Sequence, residues 1–365
     1  MIVDSKTRLA ALREKMRVQG AHLTAIGPGS HMDWLLGFHP YPDERPCLLL
    51  VAPEKETILM PVLNAEGSRG KTDIEFHAWG DADGPNVALA QAISAIGATE
   101  AKSVILDETM RADFALLLLD ALTGAKHSFT DDTLGSLRMR KDAAEFSTMK
   151  MNARIADRVM QKAFAAIRLG ISEAELASAI QRGFSEEGAA PEFWIVACGS
   201  NSAVPHPQSG RNLGVGDAVL IDIGGRKNGF PSDITRMAVV GHPPDGYDEI
   251  HTIVEEAVQS ALMAARAGVS AKDLDAAARG VITNAGYGEF FMHRTGHGMG
   301  IDLHEPPYIT ATSETVLEEG MVFSIEPGIY LPGRFGIRLE EIVILREDGP
   351  EILSTLPRDV YLARG

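Results

Sequence analysis

Residues 221–236 read IDIGGRKNGFPSDITR and place two carboxylates in strand-like surroundings. Asp222 interrupts the apolar run 218–225, and Asp233 stands just before a second apolar run. Because burying an unpaired carboxylate costs on the order of several kcal/mol, both residues need compensation. This stretch therefore predicts a site that neutralises negative charge inside a sheet.

Two further carboxylates and a histidine have similar placements downstream. Glu326 lies inside the strand-like run 321–330, and Glu340 lies inside 335–345. His297 stands in GHGMG, where the glycines allow close backbone approach. Four carboxylates and one neutral imidazole balance two divalent cations. This oxygen-rich ligand set suits Mn²⁺, Co²⁺ or Fe²⁺ better than it suits a structural Zn²⁺, which prefers sulfur and histidine ligands.

Each of these acids also has a simpler explanation as an edge-strand charge or as the partner of an arginine. Arg236 and Arg338 are the nearby arginines. Glu341 directly follows Glu340, and alternation along a strand predicts that their side chains face opposite sides. At most one residue of that pair is expected to join the other ligands.

The length of 365 residues predicts two domains, since a typical domain has about 100–200 residues. We place a small α/β domain at 1–132 and a second domain at 137–365, with the polar segment 130–136 as the linker. The elements predicted within the first domain are strands at 47–52 and 103–107, and helices at 87–96 and 111–122.

The second domain contains an internal repeat of residues that end one helix and cap the next. A long amphipathic helix is predicted at 142–167, and Ser172 with Glu175 forms a capping box for the next helix. The positions Gly268, Ser270, Asp273, Leu274 and Gly286 match Gly170, Ser172, Glu175, Leu176 and Gly188 in order and spacing. We interpret this as a duplicated unit of helix, helix and sheet.

Composition and charge exclude several functional classes. The net charge of −16 disfavours nucleic acid and anionic membrane surfaces as partners. The N-terminal residues are charged throughout, and the longest apolar stretches are too short to span a membrane. Two cysteines, Cys47 and Cys198, are too few for a disulfide framework. We therefore expect a cytoplasmic protein.

Four motifs, IDIGGRKNGFPSDITR, HRTGHGMGIDLHEPP, FSIEPGIY and GIRLEE, resemble in this order the pita-bread metallopeptidases. That family includes methionine aminopeptidase, aminopeptidase P and prolidase. The segment LRMRKDAAEF and the smaller N-terminal domain extend the resemblance over essentially the whole chain. The resemblance implies an α+β fold, a pita-bread catalytic domain of duplicated helix-helix-sheet halves with a smaller creatinase-like α/β domain N-terminal to it in the chain, and it implies a homodimer.

The resemblance also implies a role for each matching residue. The implied ligands of a dinuclear centre, for which Mn²⁺ is favoured and Co²⁺, Fe²⁺ or Zn²⁺ are alternatives, are Asp222, Asp233, His297, Glu326 and Glu340. Glu326 would also take the proton of the attacking water. His304 would stabilise the oxyanion, while His206 and His293 would line the leaving-group side.

The extra N-terminal domain and the histidines at 206 and 304 resemble aminopeptidase P and prolidase. We therefore predict metal-dependent hydrolysis of the Xaa-Pro bond in short peptides, releasing the residue before proline. An Xaa-Pro bond lacks an N–H, so a peptidase that needs only the carbonyl can cleave it.

Two alternatives stay open. An Xaa-Pro dipeptidase (prolidase) must bind a free carboxylate, and prolidases often carry an arginine where this chain has Tyr308. That difference favours the aminopeptidase. A non-peptidase hydrolase or an inactive binding protein on the same scaffold is the alternative of another class, and the complete ligand set argues against it.

Overall fold

The computed structural model describes residues 4–204 and 210–364. The chain divides into two compact units, Met1–Arg138 and Met139–Gly365. The predicted domain limits, 1–132 and 137–365, stay predictions. The expected linker at 130–136 is wrong, because Asp131–Gly135 forms a helical turn of the first unit with Leu134 fully buried. Among the described residues, no helix is long and apolar enough to cross a membrane.

The first unit is a six-stranded mixed sheet with helices. Its strands are β1 Leu23–Ile26, β2 Leu48–Val51, β3 Glu56–Pro61, β4 Glu75–Trp79, β5 Ser103–Leu106 and β6 Lys126–Phe129. Its helices are α1 Ser5–Gln19, α2 Ser30–Leu36, α3 Val62–Arg69, α4 Asn86–Ala95, α5 Ala112–Ala121 and α6 Ser136–Arg138. The strand order is β4-β3-β2-β1-β5-β6. Central strands β1 and β2 are buried along their whole length, as their continuous apolar runs require.

The second unit contains the remaining elements. Its helices are α7 Ala143–Ala166, α8 Glu173–Glu186, α9 Tyr247–Ala264 and α10 Ala271–Asn284. Its strands are β7 Ala190–Cys198, β8 Ala218–Lys227, β9 Phe230–Pro231, β10 Ile234–Val240, β11 Gly296–Gly298, β12 Glu305–Ile309, β13 Val322–Ile325, β14 Gly328–Leu331, β15 Phe335–Arg338, β16 Glu341–Arg346, β17 Gly349–Ile352 and β18 Tyr361–Ala363.

These elements form two similar halves. Helices α7 and α8 precede a sheet of order β7-β8-β10-β18, and β9 pairs with β8. Helices α9 and α10 precede a sheet of order β12-β11-β13-β16-β17. Each pair of helices packs its apolar face on a sheet through a large buried cluster. The remaining strands, β14 and β15, form a hairpin.

Backbone contacts support the duplication. The Gly170 N–H donates to the Leu213 carbonyl at 2.8 Å, and the Gly268 N–H donates to the Leu317 carbonyl at the same distance. Both glycines have φ near the left-handed region, at 80° and 90°, where other residues are strained. The Ser172 and Ser270 side chains then cap α8 and α10 in the same way. The predicted duplicated fold is confirmed.

Candidate metal centre and active site

Strands β8 and β10 bring together the two carboxylates of the first motif. Asp222 lies within β8 and pairs with Thr235 of β10. Asp233 immediately precedes β10, so the antiparallel pairing keeps it beside Asp222. One carboxylate oxygen each from Asp222, Asp233 and Glu340 lies within 4.8 Å of the others, and all three side chains are buried.

The second sheet supplies Glu326, Glu340 and His297. Antiparallel β13 and β16 pair with Ile325 opposite Glu341, so Glu326 and Glu340 sit at the same end of this strand pair. Potential ligand atoms of His297, Glu326 and Glu340 again lie within 4.8 Å of one another. Two halves of the duplicated unit therefore meet at one cluster.

The imidazole of His297 is oriented by its backbone surroundings. Its Nδ1 lies 3.1 Å from the Gly298 carbonyl, which can only accept, so Nδ1 carries the proton. The Nε2 lone pair consequently faces the carboxylates, 3.3 Å from Glu326 Oε1 and 3.7 Å from Asp233 Oδ2. Gly296 permits this approach, because a Cβ there would overlap the Ser324 backbone oxygen.

The carboxylates are too close together to ionise freely without cations. Burial, with repulsion from Glu340 and Asp222, raises the pKa of Asp233 well above its usual value. Burial, with repulsion from Glu326 and Asp222, does the same to the pKa of Glu340. Burial lowers the pKa of His297 to about 4, so its imidazole is neutral at pH 7. Bound cations would relieve both the repulsion and the desolvation cost.

One arginine lies directly against this acidic cluster. Arg338 donates from Nη2 to Asp222 Oδ2 at 2.5 Å and from Nη1 to the Tyr330 hydroxyl at 2.6 Å. Thr235 accepts from Arg338 Nε at 3.2 Å and donates to Glu340 Oε2 at 2.9 Å. Oδ1 of Asp222 is buried and has no hydrogen-bond partner in the described part of the chain. This unmet oxygen and the surplus negative charge fit divalent cations.

The structure describes two of the three histidines that were predicted to act on the substrate, His293 and His304. His304 lies beside the ligands, with its ring centre 4.0 Å from that of His297. His293 accepts at Nε2 from the Tyr330 hydroxyl at 2.9 Å, because its Nδ1 donates to the Arg294 carbonyl at 2.7 Å. His206 falls outside the described residues, so its predicted role has no structural test. The roles of the other site residues also stay predictions.

A cavity of about 470 Å³ opens over the cluster. Asp222, Asp233 and Glu326 form its acidic part, beside His297. The other lining residues are Phe193, Trp194, Ile195, His293, Arg294, Leu303, His304 and Arg338. The acidic cluster thus lies on the wall of a space that can hold a small peptide.

Two supporting residues were missed at the sequence level. Thr235 follows Asp233 by two positions, so alternation along β10 could have placed both on one face. Tyr330 follows Glu326 by four positions, but it reaches His293 through the separate β14–β15 hairpin. No short-range pattern signals that second contact.

Comparison with known proteins agrees with this geometry. Residues 147–347 match metallopeptidase family M24, and residues 8–140 match the creatinase/prolidase N-terminal domain. The chain belongs to metallopeptidase family M24. The predicted family, fold class and metalloexopeptidase activity are confirmed for this M24 metallopeptidase.

Three similar proteins illustrate the range of named activities. The crystal structure of dipeptidase PepE from Mycobacterium ulcerans is 35% identical, with a TM-score of 0.94 and coverage of 99% of this chain and 98% of that one. The Xaa-Pro dipeptidase of Pyrococcus horikoshii is 33% identical over 315 residues, covering 86% of this chain and 87% of the relative. The X-Pro aminopeptidase structure from Thermotoga maritima is 32% identical, with a TM-score of 0.81 and coverage of 96% and 100%.

Proposed function

We propose that this M24 metallopeptidase hydrolyses Xaa-Pro bonds at a centre of two divalent cations, with Mn²⁺ as the favoured metal. The observation that carries the proposal is the convergence of four carboxylates and one imidazole, with its Nε2 facing them, beside a peptide-sized cavity that three of these carboxylates line. The names of the relatives support proline as the residue after the cleaved bond. The predicted cytoplasmic location and homodimer remain predictions.

The residues that would hold the cations are Asp222, Asp233, His297, Glu326 and Glu340. When bound, the cations supply a water activated at neutral pH and polarise the scissile carbonyl. Glu326 is placed to hold the proton of that water, since burial raises the pKa of its carboxyl above the usual value. Ser324 donates to Glu326 Oε1 at 3.0 Å and fixes its orientation.

Two histidines would act on the substrate. The exposed ring of His304 lies tilted against that of His297 and can donate to the carbonyl oxygen as that oxygen gains charge. His293 is fixed by Tyr330 and lines the same cavity, where it can contact the leaving-group side. Neither role requires an N–H on the scissile bond, which agrees with a proline substrate.

Arg294 favours the dipeptidase form of this activity. Its guanidinium carbon lies 4.6 Å from the centre of the Tyr308 ring, and its side chain lines the cavity. Tyr308 stands where prolidases often carry an arginine, and the lack of that arginine was the reason for predicting an aminopeptidase. In the described part of the chain, Arg294 forms no ion pair with a carboxylate. A free proline carboxylate would provide one, so Arg294 supplies the charge that Tyr308 lacks.

Hydrolysis of matched peptides tests the activity. Chelator-stripped protein is assayed on Xaa-Pro and on Xaa-Pro-Yaa, with and without added Mn²⁺. We expect Mn²⁺-dependent cleavage of Xaa-Pro, which would support the dipeptidase. Cleavage of the tripeptide alone would support the aminopeptidase, and failure to cleave either peptide would overturn the proposed function.

Substitution of the arginine tests its role separately. Arg294→Gln should lower kcat/KM for Xaa-Pro by roughly 10- to 100-fold, because a charge-assisted hydrogen bond is lost, and leave Xaa-Pro-amide almost unchanged. Arg334→Gln is the matched control, since Arg334 also stacks on an aromatic ring, that of Phe335, but does not line the cavity. Equal losses on the acid and the amide would contradict carboxylate recognition.

A further inference from the structure

Glu341 is a buried carboxylate that the metal centre does not use. As alternation predicted, it faces away from Glu340, and its Oε1 accepts from Arg236 and from Arg358, each at 2.8 Å. Arg358 in turn donates two hydrogen bonds of 2.8 Å to Glu255 of α9. These four side chains alternate in sign and sum to zero charge. They form a chain of ion pairs with no surplus charge for a cation to neutralise.

Arg236 connects this network to a metal ligand. Its side chain is completely buried, and its Nη1 donates to the backbone carbonyl of Glu340 at 2.5 Å. Its other groups hold the C-terminal segment 354–358, with donation to the Leu356 carbonyl at 2.7 Å and to the Pro357 carbonyl at 3.0 Å. One guanidinium therefore joins the backbone that carries Glu340 to the segment before β18.

The neighbouring residue secures the other end of the same ligand. Thr235 points to the opposite face of β10, where its hydroxyl donates to the Glu340 carboxylate at 2.9 Å. Adjacent residues of β10 thus fix both the backbone and the side chain of Glu340. Asp157 of α7 also holds the segment 354–358, accepting from the Ser354 hydroxyl at 2.5 Å and from the Thr355 N–H at 2.8 Å.

We propose that Arg236 is a positioning residue for the metal ligand Glu340, and that docking of segment 354–358 is coupled through Arg236 to metal affinity. The inference rests on the proposed metal centre but not on any substrate. A guanidinium is suited to this task because its planar array of five donors can satisfy several carbonyls and one carboxylate at once. An ammonium group at this position lacks that geometry.

Metal titration of the full-length protein tests the proposal. Apo wild-type protein and Arg236→Lys are titrated with Mn²⁺ by calorimetry, and the increase in Tm on Mn²⁺ addition is measured in parallel. We expect the Mn²⁺ Kd of Arg236→Lys to rise by about 10- to 100-fold, as for other residues that orient metal ligands, and the increase in Tm to shrink. Arg346→Lys is the control, because Arg346 lies on the same strand as Glu341 but pairs with Glu351 at the surface.

The outcomes separate positioning from general stability. A lower Tm for apo Arg236→Lys with an unchanged Mn²⁺ Kd would mean a purely structural role and would overturn the inference. If Arg236→Lys does not fold, Ser354→Ala replaces it, since Ser354 accepts from Arg236 at 3.3 Å. That variant also removes the Ser354 hydrogen bonds to Asp157 and from the Leu356 N–H, which hold the same segment. It should raise the Kd by at least about threefold, the loss expected for a single hydrogen bond, and an unchanged Kd would again contradict the coupling. Failure of wild-type protein to bind Mn²⁺ would overturn the metal centre itself.

Discussion

Each unit contains a cluster of histidine and carboxylate side chains with the spacing of a metal site, but the two clusters differ in their hydrogen-bond partners. In the first unit, the cluster consists of His31, Asp107 and Glu108. Nδ1 of His31 lies 3.0 Å from a guanidinium nitrogen of Arg138, which can only donate. Nδ1 therefore accepts, and Nε2 carries the proton towards Glu108. In the second unit, at the proposed metal centre, the histidine tautomer is reversed, because Nδ1 of His297 donates to a carbonyl.

The carboxylates of the two clusters also differ, in the direction in which their surroundings shift their pKa values. Burial raises the pKa of Glu108, but hydrogen bonds from His31 and Thr130 outweigh it and lower the pKa to about 2. Asp107 accepts from the Gly27 N–H at 3.1 Å and from the Thr109 N–H at 2.8 Å. In the catalytic cluster, burial and mutual repulsion raise the carboxyl pKa values instead. The two clusters therefore share the spacing of metal ligands but differ in whether hydrogen-bond donors already satisfy their carboxylates.

The largest effect should come from removing one carboxylate of the proposed metal centre. Glu340→Gln should lower the Mn²⁺ stoichiometry below two per chain and reduce kcat/KM by at least about 1,000-fold, equivalent to roughly 4 kcal/mol of transition-state stabilisation. Glu108→Gln should leave both quantities at the wild-type level. Metal analysis after gel filtration and Xaa-Pro hydrolysis measure the two effects. A loss of bound Mn²⁺ in Glu108→Gln would break the distinction between the clusters.

A smaller loss of activity is expected for His304, which we propose acts on the substrate and does not bind the cations. His304→Ala should lower kcat by about 100- to 1,000-fold, the usual cost of removing one oxyanion donor, and retain two Mn²⁺ per chain. His242→Ala changes an exposed histidine outside the cavity and serves as the control. If His304→Ala loses one Mn²⁺ instead, His304 belongs among the ligands.

Patterns among residues close together in the sequence were enough to predict several features of the fold and the site. Asp222 was identifiable because it interrupts an apolar strand, and Glu341 was separated from Glu340 by strand alternation. The capping box of Ser172 and Glu175 forms as predicted at the start of α8. Such features depend on neighbours within about four positions, and the sequence contains that information directly.

Contacts between distant segments could not be predicted in this way. Arg294 reaches the Tyr308 ring only because β11 and β12 pair, and Arg236 contacts carbonyls about 120 positions away. The segment 130–136 was mistaken for a linker because its polar composition conceals the burial of Leu134. In each case tertiary packing, rather than local propensity, determines the partner.

The smallest effect concerns the acid stability that the first cluster contributes. Glu108 has a folded pKa of about 2, below its usual 4.5, so its contribution is complete above pH 4.5 and disappears as the pH falls towards 2. Because 39% of its side chain is exposed, screening limits this contribution to about 1 kcal/mol. Urea unfolding should show Glu108→Gln less stable than wild type at pH 6, with the difference shrinking between pH 4.5 and 3. A constant difference over that range would mean that the charge of Glu108 contributes nothing, and that this cluster stabilises the fold only through its neutral hydrogen bonds.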